Sequence, residues 1–102
     1  MEKRYTVSQI RERLTPVFDR NNVRKAILFG SYVKGNATPS SDIDLLVDSG
    51  KKGLAFFGLL EDVCENVECE VDLIDVSQII PGSKVEKEIE ETGVIIYEQW
   101  KR

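Results

Sequence analysis

Two aspartates, Asp42 and Asp44, stand two residues apart at the start of the run DIDLLVD. Residues at i and i+2 of a strand point to the same face, about 6.5–7 Å apart along the chain. Two carboxylates placed this way repel each other, and aspartate is depleted in strands. Leu45, Leu46 and Val47 carry the run onward into a core. A divalent cation bridging both carboxylates resolves the conflict at the strand's start. A lone D-x-D pair also describes a solvated strand end. The weighting changes upstream, where the apolar run VRKAILF stops at Gly30-Ser31. Glycine permits a tight turn and lets a phosphate approach the backbone. Ser31 is placed to open a short helix (Tyr32, Val33, Lys34), where its hydroxyl and the free amides are phosphate donors. One strand end offers anion donors and its neighbour offers carboxylates, a combination that suits a metal–triphosphate.

A third carboxylate is expected from an adjacent strand, and EVDLIDV at residues 70–76 supplies candidates. Alternation puts Glu70, Asp72 and Ile74 on one face and Val71, Leu73 and Asp75 on the other. Asp72 is flanked by Val71 and Leu73, so it is expected to be embedded in the strand, where an unpaired carboxylate is costly. On that burial argument Asp72 is favoured over Glu70, which lies nearer the strand's start.

The elements that must position these groups are legible from periodicity. Ile10, Leu14, Val17 and Phe18 recur at helical spacing, predicting an amphipathic helix over 6–21 with a kink or restart at Pro16. Strands are predicted over 23–29, 42–48, 70–76 and 94–97. The stretch GNATPSS, residues 35–41, is turn chemistry throughout. Leu54, Phe57, Leu60 and Val63 predict a second long helix packed on the sheet. Ser83 and Glu86 have the spacing of a capping box, opening a helix that ends at Thr92 and Gly93. In that helix Lys84 and Glu88, and Lys87 and Glu91, are spaced for ion pairs on a solvated face. The alternation gives an α/β (α+β) domain with a small mixed sheet flanked by helices.

Composition sets limits on the chemistry. A chain of 102 residues is sized for one compact domain, residues 1–102. The net charge of −4 argues against sequence-blind nucleic-acid binding, which needs clustered positive charge. The absence of histidine removes Ser-His-Asp and Cys-His catalysis and imidazole zinc sites. Cys64 and Cys69 read as small core-filling thiols in a reducing compartment. No apolar run approaches the roughly 20 residues of a membrane helix, and MEKRYTVSQIRERL lacks a signal-peptide core, so a cytoplasmic location is expected. Trp100, with Tyr97, Lys101 and Arg102, is read as closing a core edge, with an interface anchor as the alternative.

The run LFGSYVKGNATPSSDIDLLV resembles the signature of the polymerase-beta-type nucleotidyltransferases: G-S, ten residues, then D-x-D. Gly30, Ser31, Asp42 and Asp44 occupy those positions, and Asp72 in VDLID matches the family's third carboxylate. Over nearly its whole length the chain is similar to the minimal nucleotidyltransferases, which are commonly paired with a small helical partner of the HEPN type as a toxin–antitoxin module. The resemblance implies the polymerase-beta-like fold and transfer of a nucleotide from ATP with release of pyrophosphate. It implies that Asp42, Asp44 and Asp72 hold magnesium, with manganese also suited to the site, and that Gly30 and Ser31 grip the triphosphate. Lys34 stands where many relatives carry arginine, so a planar phosphate fork becomes a point charge. Larger relatives append domains that hold the acceptor, and no residues are left for one here. The acceptor is then presented by another protein or by a second copy of this chain. The leading expectation is an antitoxin that adenylylates a tyrosine hydroxyl of a HEPN toxin. The alternatives are a binding-only antitoxin, the catalytic half of a small-molecule (aminoglycoside-type) nucleotidyltransferase, and a non-catalytic metal-binding domain.

Overall fold

The computed structural model describes residues 5–38 and 40–99. Trp100, Lys101 and Arg102 lie outside the described residues. The first helix, α1 (Val7–Arg20), is capped by Thr6, whose hydroxyl accepts from the Gln9 amide at 3.1 Å while Gln9 Oε1 accepts from the Thr6 amide at 2.9 Å. Pro16 does not restart the helix, which runs as one element. Pro16 leaves only the Glu12 carbonyl without its usual donor, and both residues lie on the exposed side. Burial of Ile10, Leu14, Val17 and Phe18 on the opposite face outweighs that loss. The predicted strand at 23–29 starts two residues late because Val23 still serves the helix end. Asn22 takes a left-handed φ of 57°, and the Val23 amide donates to the Phe18 carbonyl at 3.0 Å.

The chain continues through β1 (Lys25–Phe29), a single turn of helix α2 (Ser31–Lys34) and β2 (Ile43–Asp48). Helix α3 (Leu54–Asn66), β3 (Val71–Asp75), a 3-10 turn (Val76–Gln78), α4 (Lys84–Thr92) and β4 (Val94–Glu98) follow. The sheet order is β3-β2-β1-β4. β2 and β3 are parallel, whereas β1 is antiparallel to both β2 and β4, so the sheet is mixed. Ala26 and Leu28 of β1 and Ile43, Leu45 and Val47 of β2 pack with the buried residues of α1 and α3 into one apolar cluster. The alternate residues face the other side, where Asp44 and Asp72 lie.

Two smaller expectations need correction. The box at the start of α4 is half formed: Ser83 Oγ accepts from the Glu86 amide at 3.2 Å, but Glu86 Oε1 accepts from Gly82, at 2.7 Å, not from Ser83. The Ser83 amide is already bonded to the Ile80 carbonyl at 3.1 Å. Cys64 is exposed and does not fill the core, whereas Cys69 is half-buried and packs against it. Val63 and Val67 take the buried positions on either side of Cys64. No helix among the described residues is long and apolar enough to cross a membrane.

Candidate active site

Three chain segments meet at one end of the sheet because of the strand directions. β1 runs antiparallel to β2, so its last residue, Phe29, pairs with Asp44 near the start of β2. β3 runs parallel to β2, so Asp72 near its start pairs with the same Asp44. Asp42 immediately precedes β2 and is exposed. After Phe29 the chain turns at Gly30, with φ 84° and ψ −149°, into α2. That backbone conformation is open only to glycine. A second constraint is independent of the first: a Cβ on Gly30 would run into Asp44 Oδ2. The Gly-Ser turn and the aspartate strand are therefore in direct juxtaposition.

The turn is held from the far side of the chain. The Gly30 amide donates to Thr92 Oγ1 at 3.0 Å, and the Thr92 hydroxyl donates to the Glu88 carbonyl at 2.8 Å. The Gly30 carbonyl accepts from the Val33 and Lys34 amides, both at 3.1 Å. Ser31, half-buried, then begins α2.

Asp44 is the electrostatic centre of this region. Burial pushes its carboxyl up to about 6, with the negative charges of Asp72, Glu88 and Asp42 adding to the shift and Lys34 opposing it. The structure thus brings Asp42, Asp44 and Asp72 into one field, with Gly30, Ser31 and Lys34 beside them. Glu88 joins them unexpectedly. It does not pair with Lys84 on a solvated face; Glu88 Oε2 lies 3.3 Å from Lys34 Nζ across the two helices. Nothing in the local sequence separates Glu88 from the other glutamates of KVEKEIEE, because its role depends on where α4 packs.

Asp72 is in the expected place for a different reason. It is exposed, not embedded. β3 is an edge strand, and Asp72 lies near its start. Register with Asp44, not burial, distinguishes it from Glu70. Glu70 lies before β3, and its charge acts on the Cys64 and Cys69 thiols instead of on Asp44.

The donor set suits a hard divalent cation. All the candidate ligands are carboxylate oxygens, and Asp44 is held against its ionised form by burial and by the negative charges around it. Among the described residues, however, no three His, Cys, Asp or Glu side chains form a ready-made ion cage. Magnesium is commonly held by one or two carboxylates together with substrate phosphates, which is the coordination these residues can offer.

A mixed sheet with a Gly-Ser turn against a D-x-D strand, and a further aspartate in register with it, defines a nucleotidyltransferase. The family described as Polymerase beta, Nucleotidyltransferase matches residues 12–102, and the chain belongs to that family. Two proteins of Methanocaldococcus jannaschii, each with the provisional name protein adenylyltransferase, are similar to it. One is 34% identical over 99 residues, spanning 89% of this chain and 98% of the relative. The other is 31% identical over 77 residues, spanning 74% of this chain and 83% of the relative. Among solved structures, a chain of a toxin–antitoxin crystal structure with AMP-PNP superposes with a TM-score of 0.71 and 22% identity, covering 87% of this chain and 73% of that one. A chain from the complex of tri-AMPylated Shewanella oneidensis HEPN toxin with its MNT antitoxin gives 0.66 at 19% identity, covering 92% and 74%. At those identities the two structures establish the shared fold.

Proposed function

We propose that this chain transfers AMP from ATP to a hydroxyl of a HEPN-type toxin partner, with tyrosine the expected acceptor, and serves as the antitoxin of that pair. The observation that carries the reading is the register of Asp44 with Asp72, combined with the Gly30 turn lying against the Asp44 carboxylate. It is supported by relatives named as protein adenylyltransferases and by neighbours in toxin–antitoxin complexes, one with AMP-PNP and one AMPylated. The expected setting is cytoplasmic, and residues 1–102 act as one nucleotidyltransferase domain.

In the reaction the acceptor oxygen forms a bond to the α-phosphorus of ATP, and the bond from that phosphorus to the bridging oxygen of the β-phosphate breaks. Pyrophosphate leaves with the electron pair, and the acceptor's proton passes to solvent or to a nearby carboxylate. Asp42 and Asp44, with Asp72, are the residues that would hold magnesium. When bound, the ion supplies charge stabilisation of the phosphoryl oxygens and lowers the pKa of a coordinated hydroxyl. Asp72, exposed and in register with Asp44, is on the side from which an acceptor arrives. Ser31 donates to the triphosphate from the start of α2. Gly30 keeps the space beside Asp44 free of side-chain atoms, and Lys34 adds positive charge near the phosphates.

The test uses the purified chain, its candidate toxin partner, magnesium and ATP labelled at the α-phosphate. Label is expected on a tyrosine of the partner and not with the Asp42→Asn, Asp44→Asn double variant. Full toxin neutralisation by that double variant, without label, would replace transfer with steric masking.

A further inference from the structure

Helix α3 is apolar on more than the face it buries. Its first seven residues, LAFFGLL, carry no polar side chain. Leu59 and Val63 are fully buried and seat the helix in the apolar cluster. Leu54 and Phe57, expected from their spacing to share that packing, instead stand in solvent at 88% and 61% exposure. Helix α1 has the ordinary arrangement: apart from Pro16, every exposed residue in it is polar. Neighbouring large apolar side chains left in water, rimmed by charge, mark a surface that another molecule covers. Phe57 also walls a groove of about 590 Å³ together with Phe56, Leu60 and Leu73.

Charge is divided along the same face. At helical spacing Leu54, Phe57, Gly58, Glu61 and Glu65 fall on one stripe, and all five are exposed. Lys51 and Lys52 precede the N-terminal end of that stripe, and Glu61 and Glu65 occupy its C-terminal half. Among the described residues, none of these four charged side chains forms an ion pair. The stripe therefore runs from positive through apolar to negative. That order is complementary to itself when a second copy is laid against it in the opposite direction.

We propose that this face of α3 is the interface of a homodimer, with the two α3 helices antiparallel about a twofold axis at Gly58. Lys51 lies seven residues before Gly58 and Glu65 seven after, so the lysine end of each copy meets the glutamate end of the other. Gly58 has no side chain, which lets the two backbones cross at the short end of the roughly 8–10 Å spacing of packed helices. Phe57, one residue from the axis, meets its own copy across it, as an isologous interface requires. Apolar contact supplies the affinity. The charged ends fix the direction, because a parallel pair would set lysine against lysine. Asp44 and Asp72 lie on the opposite face of the sheet from α3, so the dimer leaves both carboxylate sites open.

The test is the mass of the full chain by sedimentation equilibrium, over a concentration series from micromolar to millimolar. The wild type is expected to approach twice 11.6 kDa. Phe57→Glu should raise the dimer dissociation constant at least about 30-fold. Lys51→Glu with Lys52→Glu, and separately Glu61→Lys with Glu65→Lys, should each raise it at least about tenfold. Combining all four charge changes exchanges the two ends and should return the constant to within about threefold of the wild type. Far-UV circular dichroism is expected to be the same for every variant, because none of the substituted side chains is buried. A wild type that stays at 11.6 kDa up to millimolar concentration overturns the proposal and leaves the face to a different protein. So does a dimer that Phe57→Glu fails to weaken, or one that the fourfold exchange fails to restore.

Discussion

Asp44 on β2 and Asp75 on β3 belong to neighbouring strands of one sheet, separated along the strand direction by three residues, or about 10 Å. Asp75 is 4% exposed, and burial alone would raise its carboxyl. Hydrogen bonds from Ser49 (amide 3.0 Å, hydroxyl 2.6 Å) and Ser77 (amide 2.9 Å, hydroxyl 2.7 Å) instead bring it down to about 2. Asp44 is less buried but faces three carboxylates and a glycine turn, and is pushed up to about 6. One aspartate is satisfied by the chain's own donors and ties β3 to the loop after β2. The other is left needing a partner the chain does not supply. A carboxylate that lowers the stability of its own fold is a feature of a site selected for binding or catalysis.

The contrast breaks most sharply at Asp44. Asp44→Asn should cut AMP transfer by at least about 10²–10³-fold, measured with α-labelled ATP. The same change should raise stability to urea at neutral pH by about 1 kcal/mol, since water screens a half-exposed carboxyl. The sign follows from the raised value: Asp44's contribution to stability is complete below 3.8 and is lost as the pH climbs through about 6. A destabilised Asp44→Asn protein would refute this account of the site. Next in size is Gly30→Ala, whose methyl must displace the Asp44 carboxylate and strain the turn. Transfer should fall about 10²-fold through misplacement of the reacting groups. At Gly35, φ is also positive, at +83°, but no atom lies within 4 Å of an added Cβ. Gly35→Ala should therefore cost only about 1 kcal/mol of stability and leave transfer nearly intact.

Asp75→Asn gives the opposite pattern from Asp44→Asn. Losing charge-assisted bonds should cost about 2–3 kcal/mol in urea denaturation, with transfer by the folded fraction unchanged. Because its folded value is depressed, Asp75 contributes fully above 3.8, and the contribution disappears as the pH falls toward 2. Acid unfolding of Asp75→Asn should accordingly be less steep over that interval. The smallest effect is expected from Lys34→Gln, which removes an exposed ion pair to Glu88 worth about 1 kcal/mol or less. A drop in transfer of no more than about fivefold would place Lys34 at the margin of the site, and a much larger loss would assign it a direct role on phosphate.

The elements were readable because their signals are local. Ile10, Leu14, Val17 and Phe18 declare a helix whatever surrounds them, and the strand boundaries fall within one or two residues of the alternation. Pro16 does not restart α1, because it and Glu12, whose carbonyl loses its donor, lie on the exposed side of the helix. Burial does not single out Asp72, which is exposed because β3 lies at the sheet edge, a placement that alternation within VDLID does not carry. Glu88 was hidden among similar glutamates, and Asp75 was assigned only a face.

Residue order alone determined the class of this chain: the Gly30-Ser31 turn, the Asp42 and Asp44 pair after ten intervening residues, and the periodicities that make them neighbours of a sheet. Those are short-range facts, set by covalent spacing and steric preference. Tertiary structure decided which carboxylates act on one another. Asp72 and Glu88 reach Asp44 only through a parallel register and a helix packed from the far end of the chain. Asp75, on the same strand as Asp72, finds four donors instead. Electrostatic interaction depends on distance through space and on exclusion of water, and neither is fixed until the strands have paired.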